Sequence, residues 1–364
     1  MLSTVLSVFV KFLAWCLSMI ITLSGVPDLW AEQTKTLSTL EKVTDNFYTM
    51  DYTYQYDLDD ILENGLSTNL QIYTHEVGKL LFDFGNFGCT TFNSVSSNGD
   101  YIFSRNFDYM DSPYLLVWTH PKNGYASISS VSLYFFAYGE NYMPEQGNKF
   151  PALLAPFFPL DGINEKGLSI GILELETDPV FQMTEKPNLT TSTLIRAVLD
   201  RAATVDEAIA LFAKYDMRDY LFGECTYHYQ IADAKGNTAV IEYVNGEMKV
   251  LYPAKSKTNK VNYMAATNFY LTEGVDDPLA LGHDRYDTVM KKLKSTKGVA
   301  NEKTAMNMLK SVSLKDSDMN GYICSTLWSA VYNNTRKTLN LCVYNDYNTV
   351  YKFSVSKPQV NLNK

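Results

Sequence analysis

Residues 85–92 read GNFGCTTF, and the character of the chain changes at this stretch. Residues 32–82 before it are polar, with apolar side chains at helical spacing, whereas later runs are rich in β-branched and aromatic residues and predict strands. Cys89 opens the first of these runs, and Gly88 before it leaves an unhindered peptide carbonyl. The sequence therefore predicts that a β-rich body begins at Cys89.

A hairpin is predicted directly after Cys89, because Asn98-Gly99 separates two strand-like runs. With these two as the turn residues, Cys89 pairs with Asp108, whose carboxylate could hold the α-amino group of Cys89 if the chain were cut before it. Arg105, three residues from Asp108, is then expected on the opposite face unless a bulge redirects it. The competing interpretations are a small core residue for Cys89 and a surface ion pair for Arg105 and Asp108.

The rest of the chain favours an α+β fold. Helical patterns cover residues 192–203, 204–212, 286–293 and 302–314, and strand patterns come in runs before, between and after them. Strict alternation of strands and helices is missing, which predicts mostly antiparallel sheets with segregated helices.

Composition excludes several classes of function. The 364 residues carry 40 acidic and 31 basic side chains, for a net charge of −9, which disfavours a nucleic-acid partner. The four histidines have no metal-ligand spacing, so zinc hydrolase chemistry is not expected. Residues 167–171 match the G-x-S-x-G pattern, but a turn precedes Ser169 and a strand follows it, the reverse of a nucleophile elbow.

The first part of the chain has the pattern of a targeting segment. Residues 12–23 are apolar, and residues 1–27 are predicted to be a signal peptide. A membrane anchor is the alternative, since this segment is long enough to span a bilayer. Either one predicts a secreted protein or one anchored on the extracytoplasmic side. Residues 28–88, where Leu40, Val43 and Phe47 recur at helical spacing, are expected to form a helical pro-segment.

Cys89, residues 104–108 (SRNFD) and residues 161–168 (DGINEKGL) together resemble the choloylglycine hydrolase family of linear amide C–N hydrolases. That family includes bile-salt hydrolases and penicillin V acylases, with acid ceramidase and N-acylethanolamine acid amidase as relatives. The resemblance covers about residues 84–355. It implies a four-layer αββα N-terminal-nucleophile fold for residues 89–364 and autocatalytic cleavage between Gly88 and Cys89.

The resemblance also implies a set of site residues. Cys89 is the implied nucleophile, with Arg105 and Asp108 beside it. Asn268 is the implied oxyanion donor, and Arg285 matches the family's distal arginine. In addition, Glu174 stands where bile-salt hydrolases carry an asparagine and where the ceramidase-like relatives have a glutamate. An apolar acyl pocket is expected, and its candidate residues, which core packing would explain equally well, are Tyr134, Phe135, Phe136, Phe157 and Phe158.

This chemistry needs no histidine, metal or cofactor. A freed α-amine titrates near pH ~8 and can take the thiol proton and return it to the leaving amine. The expected function is a self-processing cysteine amidohydrolase that cleaves small N-acyl amides with an apolar acyl group through a Cys89 thioester. The alternatives are an acyltransferase using the same thioester and a non-catalytic, membrane-tethered acyl-amide-binding protein. The sequence is compatible with a monomer and with an oligomer.

Overall fold

The computed structural model describes residues 27–56, 58–65, 88–136, 138–139, 142–147, 149–219, 225–256, 258–319 and 321–363. The apolar stretch at residues 12–23, predicted as a signal peptide or anchor, lies outside these ranges. Within them, every helix is too short or too polar to cross a bilayer.

Helices and strands follow the predicted order closely after Cys89. The helices are α1 (Pro27–Ser38), α2 (Leu58–Asn64), α3 (Thr191–Arg201), α4 (Val205–Lys214), α5 (His283–Ser295) and α6 (Glu302–Lys310). The first strands are β1 (Glu41–Lys42), β2 (Phe47–Tyr52), β3 (Gly88–Val95), β4 (Tyr101–Tyr109), β5 (Tyr114–Thr119), β6 (Ser127–Ser132), β7 (Asp161–Asn164), β8 (Ser169–Leu175) and β9 (Asn188–Leu189). The remaining strands are β10 (Asp216–Met217), β11 (Thr226–Ala232), β12 (Thr238–Val244), β13 (Glu247–Leu251), β14 (Ala265–Ala266), β15 (Ser317–Met319), β16 (Tyr322–Asn333), β17 (Thr338–Val343), β18 (Val350–Ser354) and β19 (Lys357–Asn363).

The strands form two large sheets with one core between them. One sheet has the order β1-β2-β5-β6-β7-β8-β11-β12-β13, and the other β14-β3-β4-β16-β17-β18-β19, with β15 paired to β16. Apolar side chains of both sheets, such as Phe107 and Trp328 from one and Ile128 and Ile170 from the other, belong to the same buried cluster. This shared cluster is the main core of the molecule.

Helices cover the outer face of each sheet. Leu194, Val198 and Phe212 from α3 and α4 extend the same buried cluster to the outer side of the nine-stranded sheet, where the two helices contact β7, β8, β11 and β12. Val289 and Leu309 from α5 and α6 pack in a second buried cluster against the eight-stranded sheet. The predicted α+β fold with four αββα layers is therefore confirmed.

The segment before Cys89 differs from its prediction. Residues around Val43 and Phe47 are strands, not a helix, and β2 extends the nine-stranded sheet by pairing in parallel with β5. The ring of Phe47 is fully buried and lies 5.2 Å from that of Tyr114. Five of the six residues of β2 are buried, so it lacks the alternation that distinguishes a strand from a helix.

Candidate active site

The hairpin that carries Cys89 has a three-residue loop instead of the predicted two-residue turn. The backbone N–H of Ser96 donates to the carbonyl of Asp100 at 2.8 Å, which leaves residues 97–99 outside the ladder. Gly99 has φ +92°, a conformation that glycine adopts without strain. Asn-Gly signals a hairpin in both loop types, so the dipeptide located the turn but did not determine its length.

This extra residue changes the pairing of the nucleophile candidate. Cys89 lies opposite Phe107, and Asp108 lies opposite Gly88, so the predicted pairing of Cys89 with Asp108 is wrong by one residue. The shift also reverses the expected face of Arg105, which is two residues from Phe107 and therefore on the Cys89 side of the sheet. No bulge is needed to bring Arg105 to the thiol.

Arg105 is fully buried beside the thiol. Its Nη2 lies 3.3 Å from Cys89 Sγ, and its guanidinium lies 5.0 Å from the centre of the Phe107 ring. On its other side Nη1 donates to the carbonyl of Leu160 and lies 3.0 Å from Asp161 Oδ2. A buried cation needs such a counter-charge, because removing it from water is otherwise costly.

Asp161 is a buried acid whose place at the site the sequence did not reveal. Its Oδ2 accepts a hydrogen bond from Trp328 Nε1 at 2.8 Å, and its Oδ1 accepts one from the hydroxyl of Tyr332. Together with Arg105, these donors give each oxygen of the Asp161 carboxylate a partner. Asp161 is the first residue of the DGINEKGL segment, but the sequence gives it no role at the site. Only the burial of Arg105 shows that this arginine needs an acidic counter-ion.

The backbone of Cys89 is held by Asn268 and Arg285. Asn268 Oδ1 accepts from Cys89 N at 2.7 Å, and Arg285 Nη1 donates to the carbonyl oxygen of Cys89 at 2.6 Å. Arg285 Nη2 also donates to Asn268 Oδ1 at 2.9 Å, which ties the two side chains together. Asn268 Nδ2 donates to the carbonyl of Glu174 at 3.0 Å. Its predicted role as an oxyanion donor stays a prediction.

Asp108 lies on the opposite face of β4 from Arg105. Its Oδ2 is 3.2 Å from Arg285 Nη1, and its Oδ1 accepts from the hydroxyl of Thr326. Burial raises the pKa of Asp108, against the opposing effects of Arg285 and Thr326. The expectation that Asp108 orients the α-amine stays a prediction, since the nitrogen of Cys89 is bonded to Asn268 while the peptide bond is intact.

The cleavage-site candidate, Gly88, is tightly enclosed. A Cβ at residue 88 would lie 3.0 Å from Asp108 Oδ2 and 2.9 Å from the sulfur of Met319. Glycine is thus the residue that fits between the Asp108 carboxylate and this side chain.

The thiol is protonated in this uncleaved arrangement. Burial raises the pKa of Cys89 to about 12; Arg105 and Arg285 lower it and Asp108 raises it. A reaction at Cys89 therefore requires a nearby group to take the thiol proton. No disulfide joins Cys89, Cys225, Cys324 and Cys342, the cysteines of the described residues.

Glu174 lies at the end of β8, in the nine-stranded sheet that faces the hairpin, and Asn268 links it to the hairpin. It pairs with Tyr227 across β8 and β11, and its side chain contributes to raising the pKa of Cys225, after burial. The structure therefore joins Glu174 to the Cys89 site through its backbone carbonyl.

The five aromatic candidates for the acyl pocket divide into two groups. Tyr134 and Phe135 each lie 6.3 Å, ring to ring, from Tyr109, which follows Asp108 on β4. The other group packs elsewhere in the core, with Phe136 on Phe158 at 5.3 Å and Phe157 on Tyr56 at 5.6 Å. The first group is thus the one near the hairpin.

The layers and the cysteine at the start of a central strand define the N-terminal-nucleophile class of hydrolase folds. Conjugated bile acid hydrolase from Clostridium perfringens shares this fold: it is similar with a TM-score of 0.52 at 14% identity, over 76% of this chain and 96% of that one. Penicillin V acylase from Agrobacterium tumefaciens gives 0.49 at 17% identity, over 76% and 98%.

Sequence comparison identifies the family. Residues 156–359, more than half of the chain, match the family model described as acyl-coenzyme A:6-aminopenicillanic acid acyl-transferase, and the chain belongs to this family. Penicillin V acylase of Pectobacterium atrosepticum is 28% identical over 191 residues, 50% of this chain and 49% of that protein. The chain spans about half the length of this curated relative. The predicted membership among the penicillin acylases and choloylglycine hydrolases is confirmed.

Proposed function

We propose that this protein is a self-processing cysteine amidohydrolase that cleaves linear amide bonds of N-acyl amides through a thioester on Cys89. One observation carries the proposal. Arg105 approaches the Cys89 thiol at 3.3 Å, while Asn268 and Arg285 hold the backbone nitrogen and carbonyl of the same residue. A thiol fixed in this way beside two guanidinium groups has the environment of a reactive cysteine once its proton is removed.

Maturation and turnover would share one mechanism. In maturation, Cys89 Sγ loses its proton and attacks the carbonyl carbon of Gly88; the C–N bond breaks, the nitrogen of Cys89 is protonated to an amine, and water hydrolyses the thioester to leave Gly88 with a free carboxylate. Asp108, whose pKa burial raises, is the acid beside Gly88, on the other face of the hairpin from the thiol; it is our candidate to accept the thiol proton once the Cys89 side chain turns toward the Gly88 carbonyl.

In turnover the freed α-amine of Cys89 takes the thiol proton. The thiolate attacks the acyl carbon of the substrate, and the ammonium returns the proton to the departing amine. Water then hydrolyses the acyl thioester and restores the thiol. Asn268, bonded to this nitrogen in the uncleaved chain, would hold the amine, and its amide would be the oxyanion donor if it turns away from Glu174.

The acyl group that fits is apolar. Tyr109, Tyr134 and Phe135 form the aromatic cluster nearest the hairpin. The relatives named above act on penicillin V and on conjugated bile acids, both of which are amides of an apolar acyl group. Membership in a family described as an acyl-transferase supports a second candidate, transfer of the acyl thioester to an amine instead of water.

The localisation proposed with this function is extracytoplasmic, after export by the N-terminal apolar segment. Fractionation of cells that express the full chain tests it, since recovery only in the cytoplasm with residues 1–27 intact would contradict it.

The test is the N-terminal sequence and intact mass of the purified protein, beside Cys89→Ala. A new terminus at Cys89 in the wild type alone supports the proposal. Cys342→Ala is the matched control, because that thiol is equally buried, has a pKa also raised by burial to about 12, and lies in the outer cluster. It should cleave normally.

Activity is then measured with penicillin V, a glycine-conjugated bile acid and an N-acylethanolamine, with and without an added amine. Free acid as the product supports hydrolysis, and a new amide supports acyl transfer. A chain that binds these compounds without cleaving itself or them would contradict the proposal and favour a binding protein.

A further inference from the structure

His228 is fully buried in the middle of β11, and both of its ring nitrogens face hydrogen-bond acceptors. Nδ1 lies 3.1 Å from Glu242 Oε1, and Nε2 lies 2.6 Å from the carbonyl oxygen of Thr267. A carbonyl oxygen can only accept, so Nε2 carries a proton. The protonation of Nδ1 depends on the state of Glu242.

Glu242 is surrounded by donors. Its Oε1 accepts from the backbone N–H of Leu271 at 2.7 Å, and its Oε2 accepts from the N–H and the hydroxyl of Thr272 at 3.0 and 2.6 Å. Burial pushes the pKa of Glu242 upward, but the hydrogen bonds and charge of His228, with those of Thr272 and Leu271, hold it below its usual value. Glu242 is therefore a carboxylate, and Nδ1 of His228 must donate to it.

These contacts make His228 an imidazolium, because a neutral ring has one N–H and two are needed. Asp277, in the loop after Thr272, interacts electrostatically with His228 and with His283 at the start of α5. From β8, His228 faces Leu173 as its pairing partner. The positive ring thus faces Glu242 and Asp277.

The pair clamps the segment that contains Asn268. His228 holds the carbonyl of Thr267, one residue before it, and Glu242 holds the backbone of Leu271 and Thr272, three and four residues after it. Asn268 in turn accepts from Cys89 N at 2.7 Å. The segment reaches the site from a loop, and the clamp fixes both of its ends to the nine-stranded sheet.

We propose that His228 and Glu242 are positioning residues for Asn268. The proposal rests on the proposed function for its kinetic consequence. Without these hydrogen bonds, the two ends of the segment are no longer held on the nine-stranded sheet. Asn268 then loses its fixed distance to the Cys89 nitrogen.

The first test does not need activity. Cys89→Ala keeps the chain uncleaved, and ¹⁵N spectra of its histidine rings, assigned with His228→Gln, report which nitrogens carry protons. We expect both nitrogens of His228 to carry protons, as their two acceptors require, and the backbone amide of residue 89 to exchange at least tenfold faster in the His228→Gln double variant. A singly protonated His228 or an unchanged exchange rate would overturn the proposal, whether or not the protein is an enzyme.

The second test is kinetic. In His228→Gln and Glu242→Gln we expect kcat to fall on the order of 10²-fold with a small change in KM, since the segment is misplaced but the pocket is not. The matched control is His120→Gln, an exposed histidine paired with Asp51 at 2.9 Å, which should keep wild-type kinetics.

Failure of the proposed function and failure of the positioning role would give different results. A wild type that neither cleaves itself nor hydrolyses amides contradicts the proposed function, while the ring spectra and amide exchange still decide the positioning role. His228→Gln and Glu242→Gln proteins with wild-type kcat contradict the positioning role alone.

Discussion

Nη1 of Arg285 lies 2.6 Å from the carbonyl oxygen of Cys89. Arg285 belongs to α5, in the helical layer outside the eight-stranded sheet, and its guanidinium reaches the opening of β3, where Asp108 and Asn268 also contact it. One side chain of the outer layer therefore fixes the backbone of the candidate nucleophile, its neighbouring carboxylate and its neighbouring amide.

Replacing Arg285 should slow both maturation and turnover. In Arg285→Gln the positive charge that lowers the pKa of Asp108 is lost, so burial raises that pKa further and Asp108 becomes protonated at a higher pH. If Asp108 accepts the thiol proton, the acid limb of self-cleavage moves to higher pH, and the rate at pH 7 falls on the order of 10²-fold. Arg285→Lys keeps the positive charge but cannot make the paired hydrogen bonds of a guanidinium, so its rate of self-cleavage should lie between those of the wild type and Arg285→Gln. An unchanged acid limb in Arg285→Gln would contradict the role of Asp108.

Gly282 should be needed to place Arg285. It precedes α5 with φ +83°, and a Cβ there would lie 2.6 Å from Arg285 Nη2. Gly282→Ala is expected to displace the guanidinium and to reduce self-cleavage at least tenfold. Gly274→Ala is the matched control, because Gly274 has φ +81° and open space around its Cβ position. Both variants carry the same backbone strain, so equal cleavage rates in the two would count against the contact.

Asp161 should affect the site through Arg105. Asp161→Asn leaves the guanidinium without its counter-charge and weakens the hydrogen bonds from Trp328 and Tyr332, so Arg105 is expected to turn from the thiol and cleavage to slow by one to two orders of magnitude. Cleavage is measured by mass spectrometry on folded protein isolated by gel filtration.

The control for Asp161 is a second buried ion pair of the same kind. Asp200 lies 2.7 Å from Arg196 within α3, which packs on the nine-stranded sheet, whereas the Cys89 hairpin belongs to the eight-stranded sheet. Asp200→Asn should lower the melting temperature by a similar amount without slowing cleavage of the folded fraction. Equal slowing in both variants would mean that the effect of Asp161 is one of general stability.

The identity of residue 88 should decide whether the chain cleaves. Gly88→Ala places a methyl group 3.0 Å from Asp108 Oδ2 and 2.9 Å from the Met319 sulfur. Met319 can move, but Asp108 is held by Arg285 and Thr326, so the peptide bond should shift and cleavage should be lost or slowed at least tenfold. Gly139→Ala, with no atom within 4 Å of its Cβ position, serves as the control. Normal cleavage of Gly88→Ala would show that this packing does not govern the reaction.

The sequence predicts the body of the fold well and the geometry of the site less well. The helical patterns at residues 192–203 and 204–212 match α3 and α4 to within two residues at each end, because both helices have a regular apolar face. The predicted register of the hairpin was wrong by one residue, since Asn-Gly fits loops of two lengths. That single error put Arg105 on the wrong face, although its association with Cys89 was inferred from the resemblance.

The features of the site that the sequence did not predict depend on contacts between residues far apart in the chain. Asp161 and Trp328 are far apart in sequence, and so are His228 and Thr267, and one chain carries no signal that pairs them. The expectation that the four histidines form no metal site rests on their spacing, and spacing says nothing about a single histidine that meets a carboxylate on the next strand. Strand β2 was missed for a related reason, because a short run buried on both faces has no diagnostic period.

The position of β2 changes what kind of molecule the mature protein would be. Phe47, Tyr48 and Met50 are buried in the nine-stranded sheet, alongside β5 from the body. A cut at Gly88–Cys89 would leave two chains from one gene product, and the pairing of β2 with β5 in this sheet would become the interface between them. Folding of the intact precursor is unimolecular, whereas recovery from denaturant after the cut would be a bimolecular, concentration-dependent reaction. The mature protein would then persist because it unfolds slowly, having lost the covalent link that made its assembly efficient.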